Sequence, residues 1–416
     1  MPCATILLTC LVVSLAVFLF HRTISALNVR HATRHGGELP PELASRFTPV
    51  QLARSLDYLR ARTAFGHVNA ASALALAWFW LFSGILTTLA AAVLRLTPGP
   101  VLAGLLLLAA VSLIDDLADL PFSWHETFRL EARFGFNRTT AETFWADFGK
   151  GLLLKAFLGI PLVMGVLKLV EVLPNRWWLA AALFVIAFQI LILWLFPRFL
   201  APIFNKFTPL PEGALRTLLE DTARRGGFPV QGIFVMDGSK RSSHANAYFA
   251  GFGRHRRLVL YDTLISRLTP EQLAAVVAHE IGHGRHRHIL KMLLLMSAVV
   301  LGAGWAAYHI LNWPLFAEAF GINPGLPAQG LLLIGLAAPP FLTWLAPLLH
   351  HLQRRFEFEA DAFAVRACGS AAPLREALLV LLETNLQHPN PLPLYSLLHD
   401  SHPAAADRLR ALDRVL

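Results

Sequence analysis

Residues 276–286 read Val-Val-Ala-His-Glu-Ile-Gly-His-Gly-Arg-His, an H-E-x-x-H pattern, and a long apolar run begins just beyond it at Ile289. Upstream, Thr269-Pro270-Glu271-Gln272 is a strong helix start. Thr269 can cap the N-terminus, Pro270 suits the first helical position, and Gln272 can complete a capping box. On that helix His279 and His283 are four residues apart and share a face, where both imidazoles can bind one Zn²⁺. Glu280 adjoins the first of them, placed to act as general base toward a water activated by the metal. The chemistry this pattern predicts is metal-assisted hydrolysis of a peptide bond.

The rest of the chain is unlike a soluble hydrolase. Of 416 residues, 55% are hydrophobic and 15% charged, with a mean hydropathy of +0.52, whereas soluble domains carry about 25% charged residues. An integral membrane protein is implied. Three scattered cysteines, Cys3, Cys10 and Cys368, define neither a disulfide framework nor a CxxC site. The net charge of +9 suits cytoplasmic loops of a membrane protein. Without a basic stripe interleaved with aromatics, nucleic acid is not an expected partner.

Seven stretches are long and apolar enough to cross a bilayer, at about Ala4–Phe20, Ala70–Leu94, Val101–Leu120, Leu152–Val172, Trp177–Phe196, Ile289–Leu311 and Leu331–Leu349. The first lacks a basic segment before it and reads as a retained anchor rather than a signal peptide. Segments 22–68, 121–150 and 198–288 and the tail after His350 are rich in Arg and Lys, while the intervening loops carry almost none. The positive-inside rule puts the N-terminus outside and the 198–288 segment and the tail in the cytoplasm. The expected fold is mainly α, with five membrane helices in residues 1–197 and an α/β peptidase domain in 198–416 that includes the last two spans. Within it, Pro209–Gly226 reads as helix, and Gly232–Met236, Asn246–Phe252 and Arg257–Asp262 as short strands. The Arg/Ala/Leu-heavy composition favours a prokaryotic plasma membrane over an endoplasmic reticulum membrane.

A catalytic zinc needs a third protein ligand. The pattern with a third histidine downstream fails, because position 289 is Ile. No Asp or Glu occurs from Gly284 to Ala317, and Glu318 lies in an outside loop. The chain must recross the membrane before it offers an acid on the right side, and it then reads Arg354-Arg355-Phe356-Glu357-Phe358-Glu359-Ala360-Asp361. Glu357 and Asp361 share a helix face with the small Ala360 and Ala364, whereas Glu359 lies on another face. Glu357 is the expected third ligand, and Asp361 the expected acceptor for a ligand imidazole N–H.

These residues resemble the type I CAAX prenyl proteases, membrane-integral zinc endopeptidases of gluzincin type. The resemblance runs from about residue 120 to the end. It is carried by Pro121-Phe122-Ser123-Trp124 with Thr127-Phe128 and Gly135-Phe136-Asn137, by 205–213 and 238–249, by Glu357–Asp361, and by Ser401-His402-Pro403 with Arg408-Leu409. The resemblance implies seven helices around a water-filled chamber, capped by the zinc domain on the cytoplasmic side. It implies one zinc on His279, His283 and Glu357, with Glu280 as base. It further implies Asn246 on an edge strand holding substrate backbone, His402 stabilising the oxyanion, and Arg408 bracing the site. The implied substrates are prenylated proteins or other membrane-associated peptides. Ala404 and Gly284 depart from the family, which commonly has Pro and a large aromatic at these positions.

Other residues read more plainly. His286 and His288 follow the motif on the same helix and are expected as interfacial side chains with Arg285, Arg287 and Lys291. Asp115, Asp116 and Asp119 end the third span and are expected to line the interface or the chamber. Two alternatives remain: a quality-control protease without prenyl specificity, and a transporter or lipid-binding protein with a relict metal site.

Overall fold

The computed structural model describes residues 2–227, 232–250 and 257–415. Six helices among them are long and apolar enough to cross a membrane: Pro2–His35, Pro49–Phe82, Pro100–Phe134, Ala141–Val172, Trp177–Phe204 and His288–Leu311. Large apolar side chains such as Leu8, Leu153, Phe157 and Leu294 point outward, the pattern expected when lipid is the solvent.

Two expected spans are rearranged. The 70–94 stretch does not form one helix. The helix Pro49–Phe82 ends there, Gly84 turns the chain in a left-handed conformation (φ 76°), and Ile85–Leu96 runs on separately. The 331–349 stretch is likewise broken into Pro327–Ala337, Pro339–Leu342 and the start of Leu345–Cys368. Pro339-Pro340 removes two backbone donors and clashes with the preceding turn, so hydropathy continues where the helix cannot. The acids at the end of the third span have nearby partners. Asp115 accepts from Trp80 Nε1 (2.8 Å), Asp116 pairs with Lys155, and Asp119 accepts from Ser123.

Between the fifth and sixth of these helices lies a four-stranded sheet of order β1-β2-β4-β3, with β1 Phe207–Pro209, β2 Gly232–Met236, β3 Ala247–Ala250 and β4 Arg257–Tyr261. The 209–226 segment is helical only over Ala214–Arg225, because Pro209 belongs to β1. Gly251 and Phe252, expected in the third strand, lie outside the described residues. Leu219, Ile233, Leu258, Leu260, Leu273, Val277 and Ile281 form one core that seats the sheet on the helix Pro270–Arg285. Segment 121–150 is tied to the same unit: Arg241 forks onto Asp147 (2.7 and 2.9 Å), and Asn137 forms a β-bridge with Ser242.

Candidate functional site

The motif helix Pro270–Arg285 starts as its sequence predicts. Thr269 accepts from Gln272 N, Gln272 reaches back to Thr269 N, and Pro270 occupies the first turn. It packs into protein, with Ala274, Ala275, Val277, Ala278 and Ile281 buried. Its main partner is the helix Leu345–Cys368, which buries Glu357, Ala360, Asp361 and Ala364. The two backbones touch at Gly282, where an added Cβ would lie 2.9 Å from Ala360 Cα.

This close approach gathers three metal-ligating groups from two helices. His279 Nε2 and His283 Nε2 are 3.1 Å apart. Glu357 Oε1 lies 3.4 Å from His283 Nε2, and Glu357 Oε2 lies 3.6 Å from His279 Nε2. Nitrogen and oxygen ligands about 2.0–2.1 Å from a tetrahedral Zn²⁺ are separated by roughly 3.3–3.4 Å, so the three atoms fit one such ion. Two further features agree. Glu357 Oε2 is buried without a hydrogen bond of good geometry. The Nδ1 of each histidine is taken up by a partner behind it, which leaves the Nε2 lone pairs facing the shared point.

Behind His279, Asp361 Oδ1 accepts from Nδ1 at 2.8 Å. Asp361 is itself held by the Arg408 fork, Nε to Oδ2 at 2.8 Å and Nη2 to Oδ1 at 2.6 Å. Burial opposes ionisation of Asp361, but Arg408 and His279 outweigh it and bring its pKa down from 3.8 to about 2. Burial likewise opposes ionisation of Glu357, and the facing His283, His402, His279 and Arg408 hold its carboxyl well below the usual range. Glu280 differs. Burial dominates and pushes its pKa up.

The site opens on a cavity of about 1300 Å³ whose walls run from Phe188, Ile192 and Met296 on the membrane helices to His279, Glu280 and Glu357. Asn246 and His402 line the same cavity. Asn246 immediately precedes β3, the outer strand of the sheet, and its carbonyl accepts from Tyr261 N. The His402 ring is two-thirds exposed, with Nδ1 3.0 Å from Glu357 Oε2. Every residue singled out from the sequence for this site is therefore within one neighbourhood.

The two histidines after the motif do not lie on its helix: His286 caps its C-terminus, and His288 departs further. His288 does not continue the motif helix and is not an interfacial side chain. The helix ends at Arg285, Arg287 adopts φ 56°, and a new helix begins at His288. The turn folds His288 back into the protein, where it is only 4% exposed, stacks on Phe356 (ring centroids 4.0 Å apart) and places Nδ1 2.9 Å from His283 Nδ1. On a continuous helix, five residues place a side chain about 140° away from His283; only the break brings it alongside. A non-glycine residue in the left-handed region carries no sequence mark.

Membrane-crossing helices around a cavity that holds a His-Glu-His-Glu constellation define an integral-membrane metallopeptidase. Comparison with known proteins gives the family. Residues 28–206 match the family model of the CAAX prenyl protease N-terminal region, described as five membrane helices, and residues 209–416 match peptidase family M48. The chain belongs to family M48. It is 38% identical over 341 residues to the CAAX prenyl protease 1 homolog of rice, covering 81% of this chain and 79% of that one. It is 35% identical over 411 residues to CAAX prenyl protease 1 of Saccharomyces cerevisiae, covering 91% and 89%. The crystal structure of S. mikatae Ste24p superposes with a TM-score of 0.90 at 32% identity over 98% of both chains.

Proposed function

We propose that the protein is a zinc endopeptidase that trims prenylated proteins at a C-terminal CAAX sequence. The observation that carries the catalytic part is the meeting of His279, His283 and Glu357 on two close-packed helices, with Glu280 in the same cavity wall. The substrate part is supported by the names of the relatives and by the largely apolar walls that extend from the site among the membrane helices.

One zinc per chain would be held by His279, His283 and Glu357. When bound, it would polarise the scissile carbonyl and acidify the attacking water. Glu280 takes the proton from that water and returns it to the leaving amine. Substrate backbone adds alongside β3, the last strand in the sheet order, where main-chain hydrogen bonds can hold an extended peptide and Asn246 orients it. His402, exposed beside Glu357, turns to the developing oxyanion. Arg408 keeps Asp361 ionised and so fixes His279 with Nε2 free for the metal.

In this reading the broken segment from Pro327 onward makes a seventh crossing that closes a chamber. The chain divides near residue 197 into a five-helix membrane domain and a peptidase domain. The Arg- and Lys-rich 198–288 segment supports a cytoplasmic position for the site. The composition favours a prokaryotic plasma membrane, whereas plant and yeast relatives favour an endomembrane.

The test compares a farnesylated CAAX peptide with its unmodified counterpart as substrates of the purified protein. Release of the last three residues from the farnesylated peptide alone supports the proposal. Equal cleavage of both supports a quality-control protease instead, and no zinc with no cleavage of either leaves a relict metal site.

A further inference from the structure

Each ligand histidine has a hydrogen-bonded partner on the side away from the metal, but the two partners differ. His279 donates directly to a carboxylate, Asp361. His283 meets another histidine. Its Nδ1 lies 2.9 Å from His288 Nδ1, and His288 Nε2 lies 3.0 Å from Glu359 Oε2. The proton positions follow from the ends of this chain. Glu359 accepts, so His288 carries its proton on Nε2 and offers the Nδ1 lone pair; His283 then donates from Nδ1 and keeps Nε2 for the metal.

We infer that His288 and Glu359 form a positioning relay behind His283 that sets how tightly the site holds its metal. Three further features support this role over that of a chance contact. The relay depends on the left-handed conformation at Arg287, which is strained for a residue with a side chain. His288 is clamped flat on Phe356, with an interplanar angle of 8°, so its nitrogens are aimed and cannot turn away. Glu359 is anchored in turn by Lys291 at 3.7 Å, and His286 Nδ1 stands 4.0 Å off. The relay also ties the metal to the membrane. His288 and Lys291 start the helix His288–Leu311, so a shift of that helix is transmitted to His283.

The inference rests on the zinc reading above. Its test uses the full-length protein in detergent and measures zinc affinity by competition with a chelator, together with the visible absorption of the Co²⁺-substituted protein. In His288→Leu the relay is lost, and affinity should fall by roughly 10–100-fold with a shifted Co²⁺ band, the effect usual for removing a partner behind a ligand histidine. Glu359→Gln keeps the shape but not the charge and should weaken binding in the same direction. His288→Gln offers both an acceptor and a donor, and should recover most of the loss. If His288→Leu does not fold, Glu359→Gln decides. Folded variants that bind zinc within about twofold of wild type, with an unshifted Co²⁺ band, overturn the inference while the zinc reading stands. A wild-type protein that binds no zinc overturns both.

Discussion

Gly282 rests directly on the backbone of Ala360: a Cβ there would come within 2.9 Å of the Ala360 Cα, 3.1 Å of its carbonyl oxygen and 3.2 Å of the Phe363 Cβ. The residue just before the second histidine of the motif is thus the point where the two helices bearing the candidate ligands touch. Gly282→Ala must push them apart, because backbone rather than a flexible side-chain end stands in the way. Overpacking of this kind costs about 1–3 kcal/mol. The metal should suffer first, since Glu357 moves with Ala360. Zinc-to-protein ratio after dialysis is expected to fall in Gly282→Ala and to approach zero in Gly282→Val. Full zinc occupancy in the valine variant would show that the helix spacing is not what assembles the site.

Replacing Glu280, the proposed base, separates chemistry from assembly. Glu280 contributes no ligand atom to the three-residue cluster. Glu280→Gln should therefore keep its zinc while peptide cleavage drops by roughly 10²–10⁴-fold. Metal analysis and a fluorogenic peptide assay on the same preparation check both halves. Retained zinc with undiminished cleavage would remove Glu280 from the mechanism.

Arg408 is the counter-charge of a carboxylate that is 1% exposed. Arg408→Leu leaves Asp361 buried, charged and facing only His279. Breaking a buried pair from one side costs roughly 3–5 kcal/mol, and a lower unfolding midpoint in denaturant should report it. Adding Asp361→Asn to Arg408→Leu should return part of that loss, because the uncompensated charge is then gone. Strictly additive losses in the double variant would argue against direct coupling.

The same pair has a pH signature. The folded pKa of Asp361 is lowered, from 3.8 to about 2, so its ionised form stabilises the fold above the ordinary carboxylate range, and the stabilisation is lost as pH falls toward 2. The difference in Tm between wild type and Asp361→Asn should be constant from about pH 5 to pH 8 and shrink below about pH 4. A difference that grows on acidification has the wrong sign for this assignment.

Much of the site is legible in the one-dimensional pattern because it depends on local periodicity. The capped helix, the shared face of His279 and His283 and the pairing of Glu357 with Asp361 follow from a repeat of 3.6 residues. The choice of segment 357–361 follows from an exclusion along the chain, since no acid occurs between Gly284 and Ala317. The breaks were less accessible. Hydropathy runs evenly through Gly84 and Pro339-Pro340, so it gives no sign of the turns the backbone makes there. The part played by His288 was hidden altogether, because its signal is a backbone dihedral at Arg287.

By itself, the sequence determined that this is a membrane protein with a two-histidine helix, and that the next acids suited to join them, Glu357 and Asp361, wait two apolar segments further on. Those properties reside in composition and in the fixed geometry of a helix. The tertiary structure alone decided that Glu357 arrives at the histidines across the Gly282–Ala360 contact and that Arg408 closes onto Asp361. It also decided that His288 turns back under His283, with Glu359 behind it. Such contacts join residues far apart in the chain through packing and through one strained turn, and no local pattern encodes the distance between two helices.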